Sequence, residues 1–294
     1  MDYGVLGRVR WPACPEPDRA RLEPLCFPSP FPYDIYGSMS GRKNPSPYIA
    51  PDLYDLLFDS LDFDIAYWLD VARGAGGPVL EAACGTGRVL LPILKAGVEA
   101  EGFDASPAMI ARLKDKARES GLPVRAEVAD MRDFAMGKRY RRVLCAFNGF
   151  AHCETVDAQV AFLRRALEHL EPGGALVLHM SYPGPGYWSE RDGKAVLEHE
   201  APRPAGGKLQ LWDNRRKDVV GQRQDSEVEI WELGPSGRPE AVHKFSTSQR
   251  WVYRFELELL FRVAGFARWT VLGGFDGRPL RAPEDQMVAW AFKA

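Results

Sequence analysis

The segment Val79-Leu80-Glu81-Ala82-Ala83-Cys84-Gly85-Thr86-Gly87-Arg88, followed by Gly102-Phe103-Asp104-Ala105-Ser106, decides the fold. An apolar run ends on an acid, turns through closely spaced glycines and opens a helical pattern of Val89, Leu90, Leu91, Ile93 and Leu94. A second apolar stretch then ends on Asp104. Strand, tight turn, helix, strand, acid is how a doubly wound α/β sheet builds a nucleoside pocket at the carboxyl ends of its strands. Small residues in the turn let backbone approach a ligand with no Cβ in the way. A carboxylate at Asp104 stands where it can accept hydrogen bonds from both hydroxyls of a ribose.

The spacing narrows the choice of nucleoside. A dinucleotide fingerprint needs a third glycine for close helix–strand packing beside a pyrophosphate, and here Gly85-Thr86-Gly87 is followed by Arg88, Val89 and Leu90. The Gly-Lys-Ser/Thr end of a phosphate loop is also missing. Glu81, ahead of the turn, suits a ligand that carries a cation rather than a phosphate.

Glu81 to Gly87 resembles motif I of the class I S-adenosylmethionine-dependent methyltransferases, usually acid-x-Gly-x-Gly-x-Gly, with Ala83 in place of the first glycine. The run from Gly102 to Met109 is similar to the segment after the second strand of that superfamily. Ala129-Asp130-Met131-Arg132-Asp133-Phe134 resembles its third motif, where an acid meets the adenine amino group. Leu170-Glu171-Pro172-Gly173-Gly174 resembles its turn into the fifth strand. Four motifs in order cover roughly residues 50–182. The resemblance implies a mostly parallel, seven-stranded Rossmann-like sheet and S-adenosylmethionine as methyl donor. It implies backbone around Ala83, Gly85 and Gly87 beside the methionine portion, with the Ala83 methyl narrowing that space. It further implies Glu81 on the amino end, Asp104 and Ala105 at the ribose, Asp130 and Met131 flanking the adenine, and Tyr54 on a helix that covers the cofactor.

Composition agrees. The 294 residues are 46% hydrophobic and 27% charged, ordinary globular values, and suffice for one α/β domain with an insertion. A net charge of −2 offers no field to gather nucleic acid or anionic lipid. Basic clusters at 138–142 and 215–217 read as solvated faces or turns. Cys14, Cys26, Cys84, Cys145 and Cys153 show no Cys-x-x-Cys pairing and an odd count, as expected of small apolar filler in a reducing compartment. The histidines at 169, 179, 199 and 243 lack metal-ligand spacing, so no metal is expected. The first residues lack the basic start and apolar core of a signal peptide, and no apolar run reaches about twenty residues. A cytoplasmic protein is expected, with a homo-oligomer left open.

Residues 1–50 stand apart as a Pro-rich arm, too rich in aromatic and aliphatic residues for a plain linker. A single helix reads from about 52 to the Gly-rich stop at 74–78. Strands at 78–83, 99–103, 123–128, 142–147 and 174–181 alternate with helices at 87–97, 106–119 and 156–170, the pattern of a parallel sheet covered on both faces. The resemblance adds a helix at 254–264 and a closing hairpin at 269–272 and 286–292. The interval 183–252 is too long for a loop. Strand-like stretches at 208–212, 227–233 and 242–253 mark it as an inserted antiparallel segment, for which the resemblance implies a roof over the active site or a dimerisation element. The donor-binding domain is then 51–182 with 253–294.

Methyl transfer from a sulfonium is an in-line displacement, and holding the nucleophile in position can contribute effective molarities of about 10⁵–10⁸ M. A base is needed only when the acceptor must lose a proton. His152, in the stretch Cys145-Ala146-Phe147-Asn148-Gly149-Phe150-Ala151-His152 leaving strand four, is the candidate base. The alternative is a histidine that bonds a loop carbonyl or caps the next helix. Phe147 and Asn148 are expected on the cofactor side. Trp188, Arg250 and Tyr253 are the candidate acceptor contacts, Arg250 through its planar fork. Trp188, Trp212 and Trp231 either line an acceptor pocket or form the core of the insertion. The expectation is an enzyme methylating N or O of a small molecule. A methyltransferase-fold scaffold without turnover is one alternative. A nucleic-acid methyltransferase is the other, disfavoured by the charge balance and by Asn148-Gly149-Phe150 where such enzymes carry an Asn/Asp-Pro-Pro-aromatic segment.

Overall fold

The computed structural model describes residues 44–294 apart from 182, 283 and 284. The expectation for the Pro-rich arm therefore lies outside the described residues, except for its last stretch. There Ser46 caps a 3-10 turn (Pro47–Ile49).

Helices α1 (Pro51–Phe58) and α2 (Ile65–Arg73) replace the single helix read from the sequence. The run Asp59-Ser60-Leu61-Asp62-Phe63-Asp64 breaks it, because Asp and Ser compete with the helical backbone for hydrogen bonds. Asp64 is moreover drawn inward to a buried arginine, described below. The chain continues through β1 (Val79–Ala82), α3 (Leu90–Lys95), β2 (Ala100–Asp104), α4 (Pro107–Glu119), β3 (Arg125–Val128) and β4 (Tyr140–Cys145). A 3-10 turn (Gly149–His152), α5 (Val156–His169), β5 (Leu170–Ser181) and a short α6 (Pro185–Ser189) follow. Four strands come next: β6 (Ala195–Pro202), β7 (Lys208–Asp218), β8 (Arg223–Leu233) and β9 (Pro239–Arg250). The chain closes with α7 (Arg254–Ala264), β10 (Arg268–Leu272) and β11 (Gln286–Phe292).

Seven strands form one sheet in the order β10-β11-β5-β4-β1-β2-β3. β1 to β5 are parallel, and β11 runs antiparallel between β5 and β10. The central strands are apolar on both faces, as a sheet covered twice requires. Val79, Leu144, Val177 and Val288 pack beneath α2, α3 and α4 through Trp68, Leu90, Ile93 and Leu113. Leu80, Val143, Leu176 and Ala289 turn to the other face and meet α5 and α7 through Phe162, Leu163, Leu257 and Phe261. Alternation along each strand assigns neighbouring residues to opposite layers.

The inserted strands make a separate antiparallel sheet, β6-β7-β8-β9. One face carries Leu209, Val228, Ile230 and Phe245, packed on Leu57 of α1. Trp212 and Trp231, 6.4 Å apart, belong to the opposite face, since each neighbours a residue of the packed one. β6 escaped the sequence reading because it is an edge strand whose Leu-Glu-His-Glu run is mostly exposed and shows no apolar period. β7 runs on through Arg215-Arg216-Lys217, which sequence reading assigned to a solvated face or turn. Arg215 is buried there among Glu190, Glu198 and Asp213.

Candidate active site

A cavity of about 580 Å³ opens at the carboxyl ends of β1, β2 and β4. Parallel strands bring their carboxyl ends to one edge, so the loops that leave them share one crevice. Of the residues read from the sequence, Tyr54, Glu81, Ala83, Gly85, Asp104 and Ala105 line it, as do Asp130, Met131, Phe147 and His152.

Asp104 closes β2 and is held from both sides. Its Oδ2 accepts from the Gly85 N–H at 2.9 Å and its Oδ1 from the Ser106 N–H at 2.8 Å. Burial raises its pKa, and these two hydrogen bonds oppose the rise. Ser106 accepts from the Met109 N–H to cap α4 and donates its Oγ–H to the Tyr48 carbonyl at 2.6 Å. The glycine turn and the acid are thus one built unit rather than two neighbouring loops.

Glu81 is buried, and its Oε2 has no hydrogen-bond partner. Burial pushes its carboxyl up to about 8, with the nearby Arg88 opposing and Asp64 and Asp104 adding to the rise. A buried carboxyl oxygen without a partner costs free energy unless something arrives to bond it. Arg88 was not foreseen. It pairs with Asp64, Nη1 to Oδ1 at 2.6 Å and Nη2 to Oδ2 at 2.8 Å, and donates to the Leu61 carbonyl at 2.8 Å. Its guanidinium stands 4.6 Å from the Phe147 ring centre. The acid-rich segment 59–64, the arginine after the glycines and the aromatic after β4 thus meet in one cluster.

The glycine motif divides its work. Gly85 has φ +53, and a Cβ there would meet nothing within 4 Å. Gly87 does not face the cavity. At φ +90, a Cβ there would lie 2.3 Å from Leu113 Cδ1 and 2.9 Å from Leu91 Cγ. Gly87 therefore has the packing role that the missing third glycine has in dinucleotide folds. Ala83 has φ +54, a left-handed conformation that accounts for glycine at this place in the motif. Space for its methyl comes from Gly149, where a Cβ would sit 3.1 Å from Ala83 Cβ and 2.9 Å from Cys145 Sγ.

Asn148, expected on the cofactor side, lies outside the cavity lining. Its Oδ1 accepts from the Ser181 N–H at 2.6 Å and its Nδ2 donates to Ser181 Oγ at 3.0 Å, tying β4 to β5. Phe147 and Asn148 both have positive φ, 48° and 63°, so the chain turns sharply here and brings the Phe147 ring to the cavity. Asp130 is engaged by Arg132 through both oxygens, at 2.9 and 2.6 Å, which lowers its pKa against the effect of burial.

The three acceptor contacts expected from the sequence are placed elsewhere. Arg250 is buried and donates to Gln159, Gln222 and Glu256 at 2.8, 3.2 and 2.7 Å, which ties β9 to α5 and α7. Three of its five N–H groups are thus engaged within the protein, and Arg250 is not in the cavity wall. Trp188 packs against Tyr187 and Trp251, at 4.9 and 5.3 Å. Tyr253 is the residue before α7 and is not in the cavity wall. Instead Cys153, Glu154 and Thr155 after the 3-10 turn, with Thr247 and Ser248 of β9, line the cavity. The first three adjoin His152 in sequence and could have been read with it. Thr247 and Ser248 carry no sequence signal, since only the fold of the insertion brings them in.

His152 also borders the cavity. Its Nε2 is 2.8 Å from the Tyr48 hydroxyl, and the two rings meet edge to face at 5.2 Å. Tyr48 and Ser46, both lining residues, come from the short stretch ahead of α1.

The residues present fit a nucleoside with a cationic tail. An aspartate stands at the end of β2, Glu81 within β1 holds an unpartnered buried carboxyl oxygen, and at Gly85 the absence of a side chain leaves open space. The strand order, with one antiparallel strand slotted between β5 and β10, and this cavity define a class I S-adenosylmethionine-dependent methyltransferase. The methyltransferase domain model matches residues 79–174, and S-adenosylmethionine is the methyl donor.

Among its relatives is the cypemycin N-terminal methyltransferase of Streptomyces sp, 26% identical over 251 residues, which are 84% of this chain and 97% of that protein. A second is the dTDP-3-amino-3,4,6-trideoxy-alpha-D-glucopyranose N,N-dimethyltransferase of Streptomyces venezuelae, 28% identical over 237 residues, covering 78% and 94%. The solved CcbJ methyltransferase of Streptomyces caelestis superposes with a TM-score of 0.68 at 26% identity, covering 85% of this chain and 98% of that one. Among the described residues no helix is long and apolar enough to cross a membrane.

Proposed function

We propose that this chain methylates a nitrogen of a small-molecule amine, with Asp104 and Ala105 at the donor ribose, Glu81 and the Gly85 backbone at its methionine portion, and Asp130 and Met131 at the adenine. S-adenosylmethionine, when bound, supplies a methyl group already activated on sulfur. This chain's residues then have three tasks: to hold the donor, to aim the acceptor, and to take a proton from it. The observation that carries the reading is His152, a residue able to accept a proton, on the wall of the same cavity as Asp104 and Glu81. A protonated amine must lose a proton before its lone pair can attack, and a positioned base contributes typically about 10²–10⁴-fold.

Nitrogen rather than oxygen is favoured by the relatives, whose names describe methylation of an amino sugar and of a peptide amino terminus. The side chains of Glu154, Thr155, Thr247 and Ser248 give the acceptor side hydroxyl and carboxylate groups, suited to a polar, amine-bearing molecule.

The test pairs a calorimetric titration with an acceptor panel. S-adenosylmethionine should bind saturably. Of a dTDP-linked 3-amino sugar, its 3-hydroxy counterpart and a short peptide with a free amino terminus, at least one amine should give S-adenosylhomocysteine and the hydroxyl compound none. Turnover of the hydroxyl compound alone would overturn the nitrogen assignment. His152→Ala should bind the donor as wild type does while losing turnover; full activity would make His152 structural.

A further inference from the structure

Tyr48 reaches the cavity on a strap whose backbone is pinned at both ends. On one side the Ser246 N–H donates to the Pro45 carbonyl at 2.9 Å and the Ser246 Oγ–H to the Asn44 carbonyl at 2.7 Å, fastening the strap to β9 of the inserted sheet. On the other, Ser106 Oγ–H donates to the Tyr48 carbonyl itself at 2.6 Å, and Ser106 N–H binds Asp104. The Tyr48 ring lies 6.2 Å from that of Tyr54 and directs its hydroxyl to His152 Nε2. A tyrosine held at two points of its strap, with its hydroxyl in hydrogen-bond contact with an imidazole nitrogen on the cavity wall, is placed for more than packing.

We propose that Tyr48 is the group that touches the acceptor amine, relaying its proton to His152; this rests on the nitrogen reading above. In the relay an acceptor N–H bond breaks and its proton passes to Tyr48 Oη. The proton that Tyr48 already carries passes to His152 Nε2. The Tyr48 O–H bond is thereby remade, the amine keeps its electron pair, and the positive charge moves from the ammonium to the imidazolium. No tyrosinate accumulates, in keeping with the burial of Tyr48, which holds its phenol protonated, Tyr54 and Asp104 adding to the effect. Asp104 and Tyr54 border the cavity from the donor side, Cys153 and Glu154 from the loop that carries His152, and Asp130 and Arg132 from the segment after β3. The strap also ties the relay to the ribose-side loop through Ser106, so the base is assembled on the same loop as the donor site.

Tyr48→Phe keeps the ring and removes only the hydroxyl. Nitrogen-15 shifts of His152 in the wild-type protein saturated with S-adenosylhomocysteine test the pair without any acceptor. The neutral imidazole should carry its proton on Nδ1 and its lone pair on Nε2; a proton on Nε2 in the neutral ring overturns the relay. With the dTDP-linked 3-amino sugar, Tyr48→Phe should lower kcat about 100-fold at pH 7 and leave donor affinity unchanged. Its kcat should climb back only above the pKa of the sugar amine, where no proton need be removed. A Tyr48→Phe protein with wild-type kcat at pH 7 leaves His152 as the direct base and overturns the relay. Turnover of the 3-hydroxy sugar alone sinks the nitrogen reading and the relay with it. If neither sugar is methylated, the nitrogen-15 result decides the pair by itself.

Discussion

Arg88 and Asp64 form a two-pronged ion pair at 2.6 and 2.8 Å, both side chains buried, that joins the loop between α1 and α2 to the glycine turn of the donor site. Trp68 Nε1 adds a third donor to the same carboxylate at 3.0 Å. The pair explains why the helix breaks where it does. With the break, Asp64 precedes α2, and its buried carboxylate meets the guanidinium of Arg88, itself a residue of the cavity wall.

Breaking this pair from the acidic side leaves a buried guanidinium without a counter-charge. Asp64→Asn should cost about 3–5 kcal/mol and lower the melting temperature markedly. The pair also sets an acid limit. Burial alone would raise the Asp64 pKa, but the Arg88 hydrogen bonds and charge bring it below the ordinary carboxylate range. Its contribution to stability is therefore present above the unfolded pKa and lost as pH falls through the folded one. Thermal melts from pH 7 downward should show that loss in wild type and not in Asp64→Asn.

Glu81 behaves in the opposite sense. With its carboxyl pushed up to about 8 by burial, the folded chain without donor holds a proton there that the unfolded chain releases. Stability from this group is full below the ordinary carboxyl range and falls as pH rises through about 8. A donor whose amino group bonds Glu81 favours the carboxylate, so binding at pH 7 should expel a proton. Calorimetry in buffers of different ionisation enthalpy should give up to about one proton released per donor bound, and Glu81→Gln should abolish the release. A buffer-independent enthalpy in wild type would remove Glu81 from the donor's amino end.

Gly85 and Gly87 should separate binding from folding. Gly85→Ala places a methyl in open cavity space at φ +53, and the protein should fold with donor affinity reduced. Gly87→Ala drives a methyl to 2.3 Å from Leu113 at φ +90, and the main loss should be stability, about 2–4 kcal/mol. Melting curves and donor titrations on both variants check the assignment. Equal effects on both readouts would contradict it.

Asp104→Ala should weaken the donor by about 1–3 kcal/mol, about 5- to 150-fold. It also frees the N–H groups of Gly85 and Ser106, so the loss should exceed that of Asp104→Asn, which keeps one acceptor oxygen. Dissociation constants for the two variants, compared with wild type, give the answer.

The parallel strands, the helices between them and the motif residues that line the cavity were legible in the chain because they are written locally. An apolar run, a turn that needs residues without bulk and an acid at a strand end each occupy a short window, and the motif around Glu81, Gly85 and Asp104 spans little more than one strand-helix-strand unit. The acceptor side was not legible. Arg250 has the composition of a ligand arginine, yet Gln159, Gln222 and Glu256 arrive from three other elements to occupy it. Gly87 looked like its neighbour Gly85 until Leu113 was packed against it.

Sequence by itself determined the doubly wound sheet, since hydrophobic period and turn chemistry are short-range properties, and its motifs carried the resemblance that implied the donor. Tertiary structure alone decided which polar groups meet: Arg88 finds Asp64 24 residues away, and Tyr48 finds His152 104 residues away. The reason is physical. A buried charge or hydroxyl must find a partner wherever the packed layers bring one, and that distance through space leaves no trace in the order of residues along the chain.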